Sequence, residues 1–345
     1  GNVSTNTALI PDGTGVTIDT GAPELSSVSI ASSTTNPTNA ATLATTGQTV
    51  TLTFTADEAI GTPVVTFASG NGAIAGTRVT VSDLGDSNAT TWNASYAVAA
   101  NDTDGAVTYS ISFSDLTGNA GVAVTSGSGS VTVDTTIPQA DSFTMSDYAL
   151  KSGDEATVTL TFSEAVTGFS SNDDITAQNG ILSAMSSSNN GVTWTGIFTP
   201  TADVTDTTNV LSLDTSYTDL AGNEGNDSET DNYEVDTSAP TINSVSSATI
   251  DGTYKAGDDI VVQVVFNSVV NVTGTPTITL ATGGNGDVVS YTQGSGSQYL
   301  DFTYTVGTGD TSSDLDYIST SALALAGGTI KDVKGNAAVW TLPAP

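Results

Sequence analysis

Apolar and polar residues alternate with a period of two through much of this chain. The clearest run is Val50-Thr51-Leu52-Thr53-Phe54, and its form returns as Val158-Thr159-Leu160-Thr161-Phe162 and as Val262-Gln263-Val264-Val265-Phe266. Successive strand side chains point to opposite faces, so the apolar member of each pair would share one buried face. A second set of runs lies downstream: Trp92, Ala94, Tyr96 and Val98, then Trp194, Gly196 and Phe198, then Leu300, Phe302, Tyr304 and Val306. Alternation reads these aromatics as core residues rather than platforms for stacking sugars. Asn71-Gly72, Asn179-Gly180, Asn190-Gly191 and Asn285-Gly286 mark turns between strands. Helical patterning is weak, with Ser319 to Leu325 the one stretch expected to form a short helical turn.

Two punctuation marks divide the chain. Asp-Thr-x-x-Pro occurs at Asp19–Pro23, Asp134–Pro138 and Asp236–Pro240, in steps of 115 and 102 residues. Asp-x-x-Gly-Asn occurs at Asp115–Asn119, Asp219–Asn223 and Asp332–Asn336. A recurrence near one hundred residues means tandem domains. Proline punctuates a strand end, and Gly-Asn suits a turn needing positive φ. About seven short strands per repeat predict an all-β protein of three tandem immunoglobulin-like β-sandwich domains in an extended array. The expected boundaries are 19–133, 134–235 and 236–345. Residues 1–18, which open on Gly1-Asn2, are expected to be the terminal strand of an upstream repeat.

Composition narrows the function. Thr, Ser, Gly, Asn and Val dominate, which favours strands. Five basic residues face 37 acidic ones, for a net charge of −32. That balance disfavours nucleic acid and anionic membranes and favours cations. No run is long and apolar enough to enter a membrane. With no Cys there are no disulfides, and with no His or Cys the usual triads and thiol nucleophiles are excluded. A carboxylate pair for glycoside hydrolysis has residues to draw on, but none stands out as a particular pair. The expectation is that the chain is not an enzyme.

The repeats resemble the bacterial immunoglobulin-like repeats of giant surface adhesins and related biofilm or S-layer proteins. The Asp-Thr-x-x-Pro marks, Phe162-Ser163-Glu164-Ala165 and the Asp-x-x-Gly-Asn turns carry the resemblance. Domain three adds Tyr254-x-x-Gly257-Asp258, the stretch from Gly309-Asp310 through Asp314-Leu315-Asp316-Tyr317, Gly328–Asp332 and the ending Leu342–Pro345. The resemblance implies calcium-stiffened tandem spacers on a cell surface, outside the cell, often secreted by a type I system. Partners would be neighbouring repeats, with host, algal or surface ligands reached through modules elsewhere.

Sandwich topology places the acids. A seven-stranded sandwich entered at one end carries the loops after its second and sixth strands at that end. Glu58 and Glu164 follow the second strand; Asp115, Asp219 and Asp332 begin the turn after the sixth, with Asn119 and Asn223 closing it. Asp19, Asp134 and Asp236 stand in the linkers entering the same end, and Asp57 and Asp174 are expected to join them. The preceding domain would lower further acids onto the junction: Asp102 and Asp104 from domain one, and Asp154, Asp203 and Asp206 from domain two. Asp258, Asp310 and Asp314 of the domain-three motifs complete the candidate ligands. Clusters of oxygen donors alone suit Ca²⁺, which accepts 6–8 oxygens in irregular geometry. Domain three has Asn267-Ser268 where a Glu is expected, so its junction should bind more weakly or use other oxygens. Domain one has Gln48 where the others have Asp154 and Asp258, so the adjoining junction should lean on Asp102 and Asp104. Two other roles fit the same sequence: a lattice or filament subunit of S-layer type, and a glycan- or protein-binding module centred on domain three.

Overall fold

The computed structural model describes residues 18–34, 42–85 and 88–345. Among them the chain is almost entirely strand and turn. The alternating runs bury the predicted face. Val50, Leu52 and Phe54 are each 0% exposed, and Val158, Leu160 and Phe162 are at most 1%. Three separate apolar clusters result, spanning residues 30–133, 143–235 and 262–342.

In domain one, Leu25–Ser32, Thr49–Ala56, Thr91–Ala97 and Thr80–Asp83 form one antiparallel sheet. The opposing sheet runs Leu43–Ala44, Thr132–Val133, Gly105–Ser112, Val64–Ser69 and Gly72–Ala73, with its first pair parallel. Domain two repeats the first sheet with Ala140–Met145, Ala156–Phe162, Thr193–Pro200 and Gly180–Leu182. It repeats the parallel pairing between Ala149–Lys151 and Tyr233–Asp236. This is a β-sandwich of immunoglobulin type, repeated in tandem.

Domain three departs in one strand. Asp259–Thr273 runs on for 15 residues, through Asn267 and Ser268, where the other domains leave the sheet. Its second half pairs with Thr329–Lys331. The expected helical turn at 319–325 is not formed: Leu323–Ala324 is a strand paired with Thr277–Leu280, because Leu323 is wholly buried and the cross-strand bonds win over a weak local preference. Among the described residues, the short helical segments lie instead at Gly76–Arg78, a 3-10 turn, and at Ser171–Asp174. The strand expected over residues 3–18 lies outside the described residues except for Ile18.

Register corrects one detail of the repeat. Leu25 lies opposite Ala56, Ala140 opposite Phe162, and Ile242 opposite Phe266. Ala56, Phe162 and Phe266 are therefore equivalent, and the Val-Thr-Leu-Thr-Phe run of domain one is displaced by one inward step. Glu58 and Glu164 then fall at the same place, with Ser268 as their counterpart.

Candidate metal centres at the domain entries

Each Asp-x-x-Gly-Asn turn is a clamp built around its own first carboxylate. In domain one, Asp115 Oδ1 accepts the backbone N–H groups of Thr117 (2.9 Å), Gly118 (2.6 Å) and Asn119 (2.8 Å). Asn119 Nδ2 donates to Asp115 Oδ2 at 2.7 Å and to the carbonyl of Asp19 at 3.2 Å. Asp219 accepts from Gly222, Asn223 and the Asn223 side chain in the same way, and Asn223 Nδ2 reaches the Asp134 carbonyl at 3.0 Å. Asp332 and Asn336 repeat the pattern, with Asn336 Nδ2 on the Asp236 carbonyl at 2.8 Å. The turn glycines, Gly118, Gly222 and Gly335, all hold positive φ near 100°. This is why the motif carries Gly at that place.

The clamp sets the linker Asp beside the turn Asp, and the second strand supplies a Glu. Asp19, Glu58 and Asp115 present one carboxylate oxygen each, all within 4.8 Å of one another, and so do Asp134, Glu164 and Asp219. Two ligands on opposite sides of a Ca²⁺ ion, each at 2.3–2.6 Å, stand about 5 Å apart, so the spacing fits that ion. The donors are all hard oxygens. Glu58 Oε1 is closed off from solvent with no hydrogen-bond partner among the described residues. A buried carboxylate oxygen without a donor is costly, and a cation is what would satisfy it.

Electrostatics at the second cluster point the same way. Burial, together with the charges of Asp134, Asp219 and Asp104, pushes Glu164 up to about 7. Asp134 is raised as well, by burial and then by Asp219, with Asp104 adding to it. In the first cluster the turn prevails at Asp115: burial acts upward, but hydrogen bonds from Asn119, Thr117 and Gly118 hold that carboxyl below its usual range.

The preceding domain also touches the junctions. Asp104 accepts Thr135 N (2.7 Å) and the hydroxyls of Thr135 (2.8 Å) and Thr136 (2.6 Å), fixing the linker after Asp134. Thr45 Oγ1 donates to Asn223 Oδ1 across the junction. At the next junction the Ser152 amide donates to Asn336 Oδ1 at 2.9 Å. Thr45 and Ser152 went unnoticed in the sequence. The signal available was the shared turn carrying Gly47 and Gly153: Ser152 immediately precedes its glycine, and Thr45 stands two residues before.

Several expected ligands are engaged elsewhere. Asp102 forms a two-pronged ion pair with Arg78, at 2.5 and 2.6 Å, and also accepts the Ala99 amide. Asp154 and Asp258 cap their own turns through the amides and ammonium groups of Lys151 and Lys255. Gln48 makes the equivalent cap, accepting the Thr45 amide at 3.2 Å, so no acid is missing there. Asp57 receives the Glu24 amide, Asp174 those of Ser170 and the Ser216 hydroxyl, and Asp206 those of Thr208 and Asn179. Asp203 sits at positive φ in its loop. Asp310 accepts from Tyr304 and Gly307, while Asp314 is exposed. None of these joins either three-carboxylate group. Nor do Asp236 and Asp332, since Ser268 stands where the Glu would be.

Comparison with known proteins supports the repeat class. Residues 134–235 match the family model of a bacterial Ig-like domain. No curated protein matches the chain. Among solved structures, a three-domain titin fragment shares 10% identity over 85% of this chain and 89% of that chain, with a TM-score of 0.41. The D00-D0 domain of intimin shares 15% over 61% of this chain and 99% of that chain, with a TM-score of 0.28. A marsupial T cell receptor shares 12% over 89% and 97%, with a TM-score of 0.33. Domains of the matched family are typically structural or binding modules, consistent with repeats of an extracellular or surface protein. No helix among the described residues is long and apolar enough to cross a membrane.

Proposed function

We propose that this chain is a calcium-stiffened spacer of a large bacterial cell-surface adhesin, holding a binding module away from the cell. The observation that carries the reading is repetition. The same three carboxylates are brought together at two successive domain entries, each around a turn whose Asn is bonded to the incoming linker. Asp19, Glu58 and Asp115 would hold one ion, and Asp134, Glu164 and Asp219 a second, with Asp104 beside it. Bound there, calcium supplies charge neutralisation and an ionic cross-link between linker and domain. The chain's own groups do the rest: the turn amides orient Asp115 and Asp219, and Thr45 couples Asn223 to the domain before it.

The test is calcium titration by calorimetry, with small-angle scattering in calcium and in chelator. Two sites per chain are expected, along with a longer, narrower distribution of dimensions when calcium is bound. Scattering curves that coincide with and without calcium would refute the stiffening role, and an absence of binding heat would refute the sites.

A further inference from the structure

Each domain has one sheet whose outer face points away from the core, and the shared register lets these three faces be compared place by place. In domain three the sheet runs Ile242–Ser247, Asp259–Thr273, Ser297–Thr305 and Asp287–Gln293. With Ala56, Phe162 and Phe266 equivalent, four outward places correspond. Domain one holds Thr91, Thr53, Asn93 and Ser82 there. Domain two holds Thr193, Thr159, Thr195 and Ser186. Domain three holds Tyr299, Gln263, Asp301 and Gln293.

Thr suits a pleated, half-buried surface, whereas Asp is depleted in strands. The sheet alone therefore does not call for the domain-three set, yet its members are organised. Asp301 is the middle of a row across three strands. Gln263 Nε2 donates to its Oδ1 at 2.9 Å, and Gln293 Nε2 donates to its Oδ2 at 2.9 Å. The two amides hold the carboxylate in place without exhausting it, because a carboxylate accepts about four hydrogen bonds. Each amide also carries a carbonyl oxygen and a second N–H. Tyr299 stands two residues along the same strand, about 6.8 Å away and on the same face. It is 48% exposed, where its counterparts are threonines.

We infer that this face of domain three binds a neutral carbohydrate chain. The apolar C–H face of a pyranose would lie against Tyr299, whose ring offers a large, rigid apolar surface. Sugar hydroxyls both donate and accept, so a vicinal pair would meet the Asp301 carboxylate and the flanking amides together. Charge selects the class of sugar. None of the four strands contains Lys or Arg, and the whole chain carries −32. An acidic sugar would be repelled with no cation on the face to hold it. A cationic peptide would have to compete for a carboxylate that two amides already hold. None of the junction acids takes part, so the inference is independent of calcium and of the spacer reading.

The test is calorimetric titration of the whole chain with cellotetraose, mannotetraose, galactotetraose and chitotetraose, and with tetragalacturonate and tetralysine as charged controls. At least one neutral tetrasaccharide is expected to bind, equally in calcium and in chelator. Tyr299→Thr and Asp301→Thr install the residues that domain two carries in the same register, so the sheet should keep its fold, as thermal melting checks. Each should weaken binding by about tenfold, through the lost ring or the lost carboxylate. Tyr299→Phe keeps the ring and should bind as the native protein does. Thr193→Ala, at the equivalent place in domain two, should change nothing. The proposal is overturned if no neutral tetrasaccharide binds, or if binding survives both threonine substitutions unchanged. Tighter binding of tetragalacturonate or tetralysine overturns the neutral class, and binding that requires calcium overturns this face as the site.

Discussion

Glu164 lets the repulsion at the second junction be measured directly. Its carboxyl rises from an ordinary 4.5 to about 7 through burial and the charges of Asp134, Asp219 and Asp104. At full weight that displacement corresponds to about 3 kcal/mol; discounted for partial exposure to screening solvent, about 1–2 kcal/mol remains. A carboxyl raised in the folded state favours folding below its unfolded value of 4.5, and that advantage is lost as pH rises through about 7. In chelator, the native protein should therefore lose stability between 4.5 and about 7 on the pH scale. Glu164→Gln, which cannot ionise, should abolish most of that loss. In calorimetric melting at pH 8 without calcium, the variant's domain-two transition should lie higher, at about 4–8 °C per kcal/mol. At about pH 4, below the unfolded value of 4.5, the two proteins should melt nearly together. With calcium the order should reverse, because ligand binding stabilises the native protein by roughly 2.7 kcal/mol at a hundredfold excess over Kd. Identical calcium-free melting at pH 8, or an undiminished difference at about pH 4, would refute the reasoning.

Three further outcomes are expected. Asn223→Ala removes the donor to Asp219 and to the Asp134 carbonyl and the acceptor for Thr45, so calcium-free domain two should lose about 1–3 kcal/mol; denaturant melts that match the native protein would count against the joint. Gly225→Ala would set a Cβ 2.1 Å from the Tyr217 ring and should cost about 1–3 kcal/mol by overpacking. Tyr217→Ile should recover part of that in the double variant, since domain three places Ile330 and Ala338 at the equivalent pair; no recovery would exclude the steric account. Lys334→Gln should leave chemical denaturation almost unchanged, with any difference vanishing at high salt, because its pair with Glu234 is exposed.

Much of the fold was legible because period-two alternation over long apolar–polar runs has one economical outcome. Phe54, Phe162 and Phe266 went inward as read, but the runs that look identical are not structurally identical. Only cross-strand register reveals the two-residue displacement in domain one. The acids were harder to read. Asp115 and Asp219 stood out because the turn motif places them, and Asp19 and Asp134 because the linker motif does. Asp102 and Asp154 also reach the far end of a domain, but a nearby cation captures each, Arg78 and Lys151. With only five basic side chains in the protein, where those five sit decides which carboxylates stay unpaired.

That scarcity also separates the third junction from the first two. There the long strand Asp259–Thr273 carries Ser268 past the site of the Glu, leaving Asp236 and Asp332 without a third carboxylate. Lys334 lies within the turn itself, its ammonium 2.8 Å from Glu234 at the end of domain two, and its affinity for the proton is raised by Glu234 and then by Asp236 and Asp332. Here an ammonium already supplied by the chain stands among three carboxylates, whereas neither three-carboxylate group at the other junctions has a described salt bridge. On the proposed reading, the three-carboxylate groups make the first two junctions, and not the third, the places for an added cation. The clamp bonds there, from Asn336 Nδ2 to the Asp236 carbonyl and from the Ser152 amide to Asn336 Oδ1, involve neither a carboxylate nor a cation. Calcium removal should accordingly loosen the entries to domains one and two, while the joint between domains two and three holds.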